Sequence, residues 1–299
     1  MMDHRHLGRE AVEKKGWWRA HRWLILRRAS QLAVLGLFLL GPWAGIWLLK
    51  GNLSSSRLLD VVPMTDPLLL VQTILAGMAF PLGTVLIGAA IVSIFYLLVG
   101  GRVFCSWICP MNMVTDAANW LRERLEIHPP LALSRRARYW MLGLTLLLST
   151  STGTLAFELV NPVSILHRGI IFGMGLGWVV ILGIFLFDLL LSRRGWCSHL
   201  CPVGAFYGLV GRFSTLRVRA DRRDRCDDCL ECYVVCPEPQ VLPPVLRGAE
   251  QGIPPVILAG ECTNCGRCID ICAEEVFAFG HRSTIAASFR RPGKPVEQS

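Results

Sequence analysis

Eight cysteines between residues 226 and 272 constrain this chain more than any other feature. They fall in two runs of identical spacing, Cys226-x2-Cys229-x2-Cys232-x3-Cys236-Pro237 and Cys262-x2-Cys265-x2-Cys268-x3-Cys272. A four-iron cube needs one thiolate on each iron. Three cysteines two residues apart let one short loop wrap three corners, and in two-cluster domains the fourth corner is reached from the other run. The spacing therefore assigns Cys226, Cys229, Cys232 and Cys272 to one [4Fe–4S] cluster, and Cys262, Cys265, Cys268 and Cys236 to a second. Ala273 stands where the first run has Pro237, and neither residue is a ligand. Four-cysteine zinc sites also use C-x2-C pairs, but two complete runs disfavour them. Crossed ligation holds two clusters close together, which makes an electron relay. Five prolines between residues 237 and 261 suit a loop or short strands, so residues 216–282 read as a small α+β domain of the bacterial 2[4Fe–4S] ferredoxin type.

The rest of the chain is unlike an ordinary soluble domain. Of its 299 residues 53% are hydrophobic and only 18% charged, against about 25% charged in typical domains. Four apolar stretches stand out: Ser30–Leu49, Leu68–Val99, Tyr139–Phe157 and Ile170–Leu191. A bilayer core takes about 20 helical residues, so the expectation is an all-α membrane unit of four transmembrane helices over residues 29–215. The second stretch is too long for one straight span. A break at Pro81 would leave Leu82–Val99 to cross and Leu68–Ala79 as an interfacial or re-entrant helix behind Asp66-Pro67; a strongly tilted helix is the alternative. Trp17, Trp18, Trp23, Trp43, Trp47, Trp140 and Trp196 flank the spans as an interfacial belt would.

Charge gives the orientation. The net charge is +9, but residues 217–299 carry 11 basic and 12 acidic side chains. The excess lies at residues 1–28 (8 basic, 3 acidic) and 100–138 (6 basic, 3 acidic). That pattern is a topology signal and argues against a nucleic-acid partner. Both termini and the middle loop are expected in the cytoplasm of a multi-pass bacterial inner-membrane protein. That side is reducing, which argues against a disulfide scaffold. Residues 1–28 form a basic segment with no cleavable signal pattern, and residues 283–299 a tail beyond the cluster domain.

The membrane half contains a repeat. Cys105-Ser-Trp-Ile-Cys109-Pro110 and Cys197-Ser-His-Leu-Cys201-Pro202 lie 92 residues apart, each at the end of a two-helix unit. On a helix, Cys-x3-Cys puts both thiols on one face. The two pairs are candidates for a further metal or redox site, with buried helix-end cysteines or a reversible thiol pair as the alternatives. His199 lies inside the second motif, where the first has Trp107. Ionisable residues near spans are functional candidates. Glu158, His167 and Asp188 are therefore candidates for a quinol site. Solvated loop positions are the alternative for the first two, and pairing with Arg193 and Arg194 for Asp188.

The sequence as a whole resembles the NapH ferredoxin-type proteins of periplasmic nitrate reductase systems. The resemblance rests on Gly8-Arg9-Glu10-Ala11, Glu13-Lys14-Lys15-Gly16-Trp17-Trp18, His21-Arg22-Trp23, Gly41-Pro42-Trp43, Thr65-Asp66-Pro67, both Cys-x3-Cys-Pro motifs, Asn161-Pro162-Val163-Ser164 and Cys236-Pro237-Glu238-Pro239. It runs nearly end to end, as far as about Arg282. It implies a subunit of a membrane quinol dehydrogenase, an electron-transfer component and not a stand-alone catalyst. Electrons would pass from quinol towards the periplasmic nitrate reductase through a NapG-type ferredoxin and a tetrahaem cytochrome. Relatives of similar plan act in methylamine utilisation (the MauN type) or in metalloenzyme assembly (the FixG type, which carries an extra soluble domain). A NosR-type regulator would need a large outer domain, and no outer loop here is long enough.

Overall fold

The computed structural model describes residues 7–78, 82–127, 131, 133–173 and 175–282. Two helices open the chain, α1 (Arg9–Lys15) and α2 (Trp17–Ala44), the second continuing the basic segment directly into the first apolar stretch. The following loop folds into a three-stranded antiparallel sheet, β1 (Leu49–Gly51), β2 (Ser55–Leu58) and β3 (Val62–Thr65). Leu59 and Asp60 both take positive φ (53° and 60°), which lets a tight turn of three residues, Leu59 to Val61, join β2 to β3.

The second apolar stretch divides into α3 (Pro67–Leu75) and α4 (Leu82–Val99). Asp66 caps α3 by accepting from the Leu68 amide at 3.0 Å, with Pro67 in the first turn. Pro81 lies outside the described residues. A π-helical turn, Phe104–Ile108, leads to α5 (Met111–Arg124). The second half repeats this plan. α6 (Ala137–Thr152) and the short α7 (Ala156–Val160) precede α8 (Pro162–Phe172), which is capped by Asn161 in the manner of Asp66. Then come α9 (Gly177–Leu186), π turns at Phe187–Leu191 and Trp196–Leu200, and α10 (Pro202–Gly211). The expected two-helix unit is thus a three-helix unit, with a short Pro-started helix between the longer ones. The fourth apolar stretch is not one helix: Ile170–Phe172 end α8, and α9 begins beyond Gly173. Among the described residues one helix, Trp17–Ala44, is both long and apolar enough to cross a membrane, while Gly83–Val99 and Gly177–Leu191 are apolar but shorter.

The cysteine-rich part is closed by β4 (Leu216–Arg219) and β5 (Ala278–His281), an antiparallel pair in register from Leu216–His281 to Arg219–Ala278. Between them lie the single-turn helices α11 (Glu231–Val235), α12 (Pro243–Arg247) and α13 (Arg267–Ile271). Val218, Leu242, Val245, Ile257, Ile269 and Phe277 form its core. This small unit is wedged against the helical half. The Asp270 carboxylate accepts from the Trp23 and Leu24 amides of α2, and Lys15 donates to the Ile269 and Asp270 carbonyls. Trp23 stacks edge-on against Phe279 and Trp107, so it belongs to this interface and not to the expected aromatic belt. Trp196 is also half-buried in the helical core, while Trp17, Trp18, Trp43, Trp47 and Trp140 are exposed. Gly260 sits so close to α10 that a Cβ there would meet the Gly208 carbonyl at 2.0 Å.

A buried ionic knot completes the contact. Glu238, 1% exposed, accepts from Arg102 at 2.6 Å and Arg138 at 2.9 Å, both from the helical half. Burial pushes the Glu238 carboxyl up, but the two guanidiniums outweigh it and hold it below the usual carboxylate range. A depressed carboxylate stabilises the fold above its unfolded pKa, and that contribution disappears as pH falls through the folded value. Glu238→Gln at neutral pH is expected to strip the buried Arg102 of its carboxylate, leave Arg138 with Glu261 alone and cost about 3–5 kcal/mol. Limited proteolysis at the junction near residue 215 should show the cysteine-rich unit released in the variant at neutral pH, and in the parent chain only in acid.

Candidate iron–sulfur centres

The fold sorts the eight tail cysteines into two cavities. Cys226, Cys229, Cys232 and Cys272 line one, with Asp227, Asp228, Glu231 and Tyr233 around them. Cys236, Cys262, Cys265 and Cys268 line the other, with Pro237, Thr263 and Arg267. The two loops have the same shape. Asp228 and Leu230 in the first, and Asn264 and Gly266 in the second, all take the left-handed conformation. Such turns direct successive amides inward and make an anion-binding concavity. The amides two residues beyond Cys229, Cys236, Cys262, Cys265 and Cys272 hydrogen-bond to those sulfurs. Gly266 also lets Trp23 approach, since a Cβ there would meet the indole at 2.6 Å.

The thiols themselves are crowded. Burial pushes Cys232 up to about 12, and Cys229 and Cys262 up to about 11. Buried sulfurs grouped in this way become thiolates when metal binds them. Cys265 goes the other way: burial pushes it up, but Arg27 and Arg267 outweigh burial and hold it below the ordinary thiol value.

The charges around the inner cavity test whether a cluster fits. Arg27, Arg102, Arg194, Arg217 and Arg267 lie within electrostatic reach of its cysteines. Glu238 answers Arg102, and Asp116 answers Arg194, Arg267 and Arg28. Among the described residues Arg27 and Arg217 have no carboxylate in an ion pair with them. Arg27 is 1% exposed, with its Nε and Nη1 unpartnered. Buried cations need an anion, and a cube carrying four thiolates is one. The residues present fit a cluster at this site. The outer cavity is framed by exposed carboxylates instead. Asp116, Arg27 and Arg267 were not singled out by sequence. Arg102 and Arg194 were legible in principle, since each stands three residues before the first cysteine of its Cys-x3-Cys motif.

Both Cys-x3-Cys motifs abut the inner cavity. Ser106 donates to the Thr263 carbonyl at 2.8 Å, and Trp107 to that of Asn264 at 3.0 Å. Ser198, the counterpart of Ser106, donates to the Pro237 carbonyl at 3.2 Å. The motifs are π turns and not the expected α-helical turns: the Cys109 and Cys201 amides donate to the carbonyls of Phe104 and Trp196, five residues back. His199 is buried, with its Nδ1 unpartnered.

The three candidates for a quinol site are not brought together. Glu158 accepts from Ser54 at 3.1 Å and Asn161 at 3.0 Å, and also from Ser164. His167 is buried edge-on to Phe38 at 4.7 Å, neither ring nitrogen partnered. Asp188 is at the other end, accepting from the Trp196 amide at 2.9 Å. It is not paired with Arg193, which bonds Asn119 and the Val234 carbonyl, or with Arg194, which pairs with Asp116. Asp66 joins the Glu158 region instead, accepting from the Tyr207 hydroxyl at 3.1 Å.

A sequence profile described as a 4Fe-4S binding domain matches residues 81–128 and 173–220, the two segments that hold the Cys-x3-Cys motifs. The chain is 49% identical to the ferredoxin-type protein NapH of Escherichia coli, over 93% of this chain and 96% of that one. It is 50% identical to the NapH of Haemophilus influenzae, over 92% and 95%. It is 53% identical to the methylamine utilization ferredoxin-type protein MauN of Methylorubrum extorquens, over 90% and 92%. No solved structure matches it.

Because potential follows local charge and exposure, Arg27→Met is expected to lower the reduction potential of the inner cluster and leave that of the outer one unchanged. An EPR-monitored redox titration of the purified protein checks this. Equal shifts in both signals would contradict the placement of Arg27.

Proposed function

The chain belongs to the NapH family of ferredoxin-type iron–sulfur proteins, and from that premise we propose that it is the electron-transfer subunit of a membrane quinol dehydrogenase. Electrons pass from quinol towards a periplasmic nitrate reductase through a NapG-type ferredoxin, a tetrahaem cytochrome, or both. The observation that carries this reading is the seat of the inner cysteine cavity against both Cys-x3-Cys turns of the helical half. The outer cavity carries an acidic rim of Asp227, Asp228 and Glu231 and lies beside α1, where the Gly8 amide donates to Glu231. The ligands are crossed, with Cys226, Cys229, Cys232 and Cys272 for the outer cluster and Cys262, Cys265, Cys268 and Cys236 for the inner. When bound, the clusters supply one-electron transfer.

The helical half is read as four spans, α2, α4, α6 and α9, in the bacterial inner membrane, with both termini cytoplasmic. Rows of exposed apolar side chains support this: Ile87, Ile91 and Ile94 on α4, Leu144 and Leu147 on α6, Val179 and Leu182 on α9. Patches of this extent mark contact with lipid or protein.

Quinol oxidation breaks two O–H bonds, so two protons must be accepted. Asp66 and Glu158 are held by neutral donors, and no ion pair reaches either among the described residues. Asp66 caps α3, and Glu158, in α7, reaches Ser164 in the first turn of α8; these two are the residues proposed to take those protons. His167 lies one turn beyond Ser164 on the same face of α8. Asp188, bonded to the turn before Cys197, is a capping residue rather than a quinol contact.

Anaerobic addition of menaquinol or ubiquinol, with and without a partner ferredoxin, is expected to reduce the clusters as seen by EPR. No reduction under any of these conditions would overturn the reading. Glu158→Gln combined with His167→Ala should slow quinol-driven reduction at least tenfold while dithionite still reduces the clusters fully. A second reading, electron transfer in methylamine utilisation, is favoured by the 53% identity to MauN. Complementation of strains lacking one or the other relative separates the two.

A further inference from the structure

Four cysteines of the helical half are not used by the two tail clusters. Cys105, Cys109, Cys197 and Cys201 are free thiols, buried or half-buried. The fold brings the two pairs, 92 residues apart in sequence, into one group. Cys109 lies within electrostatic reach of Cys105 and Cys201, and Cys197 of Cys109 and Cys201. The repeat supplies them symmetrically. Each motif enters through a π turn and leaves through an extended cysteine, Cys109 at φ −64° and ψ 120°, Cys201 at φ −66° and ψ 114°. A helix follows each, with Pro110 at the N-cap of one and Pro202 in the first turn of the other. The amides of Met111 and Asn112 hydrogen-bond to the Cys109 sulfur, and those of Val203 and Gly204 to the Cys201 sulfur. These are counterparts at the same 92-residue offset. The bond from the amide two residues on is the one that the tail ligands Cys229, Cys236, Cys262, Cys265 and Cys272 also receive.

The arrangement of the sulfurs bears on the class of metal. A tetrahedral zinc site with Zn–S bonds of about 2.3 Å draws its sulfurs to within about 3.8 Å of one another. No three of these cysteines have sulfurs within 4.8 Å of one another, and the same holds for the tail cysteines in both cavities. In this the quartet is like the two tail sites. Each half contributes two ligands, so neither half can fill a cube alone.

We propose that Cys105, Cys109, Cys197 and Cys201 together ligate one further iron–sulfur cluster, shared between the two repeats, two thiolates from each. It lies on the helical side of the inner tail cavity, because the same π turns that carry these cysteines donate to the Thr263 and Pro237 carbonyls that flank the inner ligands. Arg102 spans the gap, donating to the Cys197 carbonyl at 3.1 Å and to Glu238 at 2.6 Å. The quartet thus adjoins the inner site, which crossed ligation couples in turn to the outer one. The proposal rests on the reading of the chain as an iron–sulfur protein and adds a centre to it.

The test is the metal content of the full-length chain purified anaerobically in detergent. The parent protein is expected to carry about twelve irons and as many labile sulfides, three cubes' worth. Cys109→Ser and Cys197→Ser, one from each repeat, should each lose the same four irons and leave both tail signals in the EPR spectrum. Cys229→Ser should lose four irons from the outer tail site and keep the quartet's. A parent protein with about eight irons, unchanged in the two repeat variants, would overturn the proposal while leaving the tail clusters in place. Stoichiometric zinc released by the repeat variants would overturn it as well. A parent protein with no iron would overturn the iron–sulfur reading itself. The parent stoichiometry is decisive even if a repeat variant fails to fold.

Discussion

The cost of burying charge organises this molecule. Clustered thiolates are anions, and placing them away from water demands cations that are themselves expensive to bury. The chain meets this demand with guanidiniums delivered from several directions: Arg27 from α2, Arg102 and Arg194 from the approaches to the two π turns, Arg217 from β4 and Arg267 from the ligand loop. Glu238 and Asp116 then trim the excess and tie the cysteine-rich unit to the helices. Remove the anions and the arginines repel; remove the arginines and the thiolates are stranded. The helical half and the cysteine-rich half are therefore one electrostatic object, although sequence suggests an anchor followed by a tail.

How much was readable beforehand differs sharply by level. The cysteine runs are local patterns, and their grouping into two cavities follows from spacing alone. Asp66-Pro67 and Asn161-Pro162 are local as well, and both begin helices as cap-and-proline pairs do. The sheet Leu49–Thr65 left no signal because its strands are three or four residues long and mix polar with apolar side chains. The π turns have no local signal: a Cys-x3-Cys pair fits an α-helical turn equally well, and nothing in the motif's residue types marks the extra residue. A tryptophan beside a basic flank, such as Trp23, has two destinations, lipid and protein, and only the arrival of Phe279 and Trp107 tells them apart.

The site illustrates the same limit. Basic residues in the amino-terminal segment and the middle loop were counted for topology, where only their number matters. Arg27 and Arg102 belong to those counts, yet they are buried and face sulfur or carboxylate. A charge tally does not distinguish a residue that faces a phospholipid headgroup from one that faces a ligand loop. Position within the repeat does, since Arg102 and Arg194 recur at the same distance before each cysteine pair. Asp188 shows the converse: nearby arginines suggested a partner, and each found a better one across the fold.

The enclosure of the inner ligand loop also sets a chronology. Cys265 and Cys268 are each 8% exposed, with α2 on one side and the two π turns on the other. A prefabricated cube could not be delivered there once those surfaces have met. Loading must come first and closure second, so a nascent chain has to wait, with its tail loose beside the helices, for its metal. The seal that later shields the centre from oxygen and solvent is thus also a checkpoint in biogenesis: a chain that closes empty has no way to be repaired without opening again.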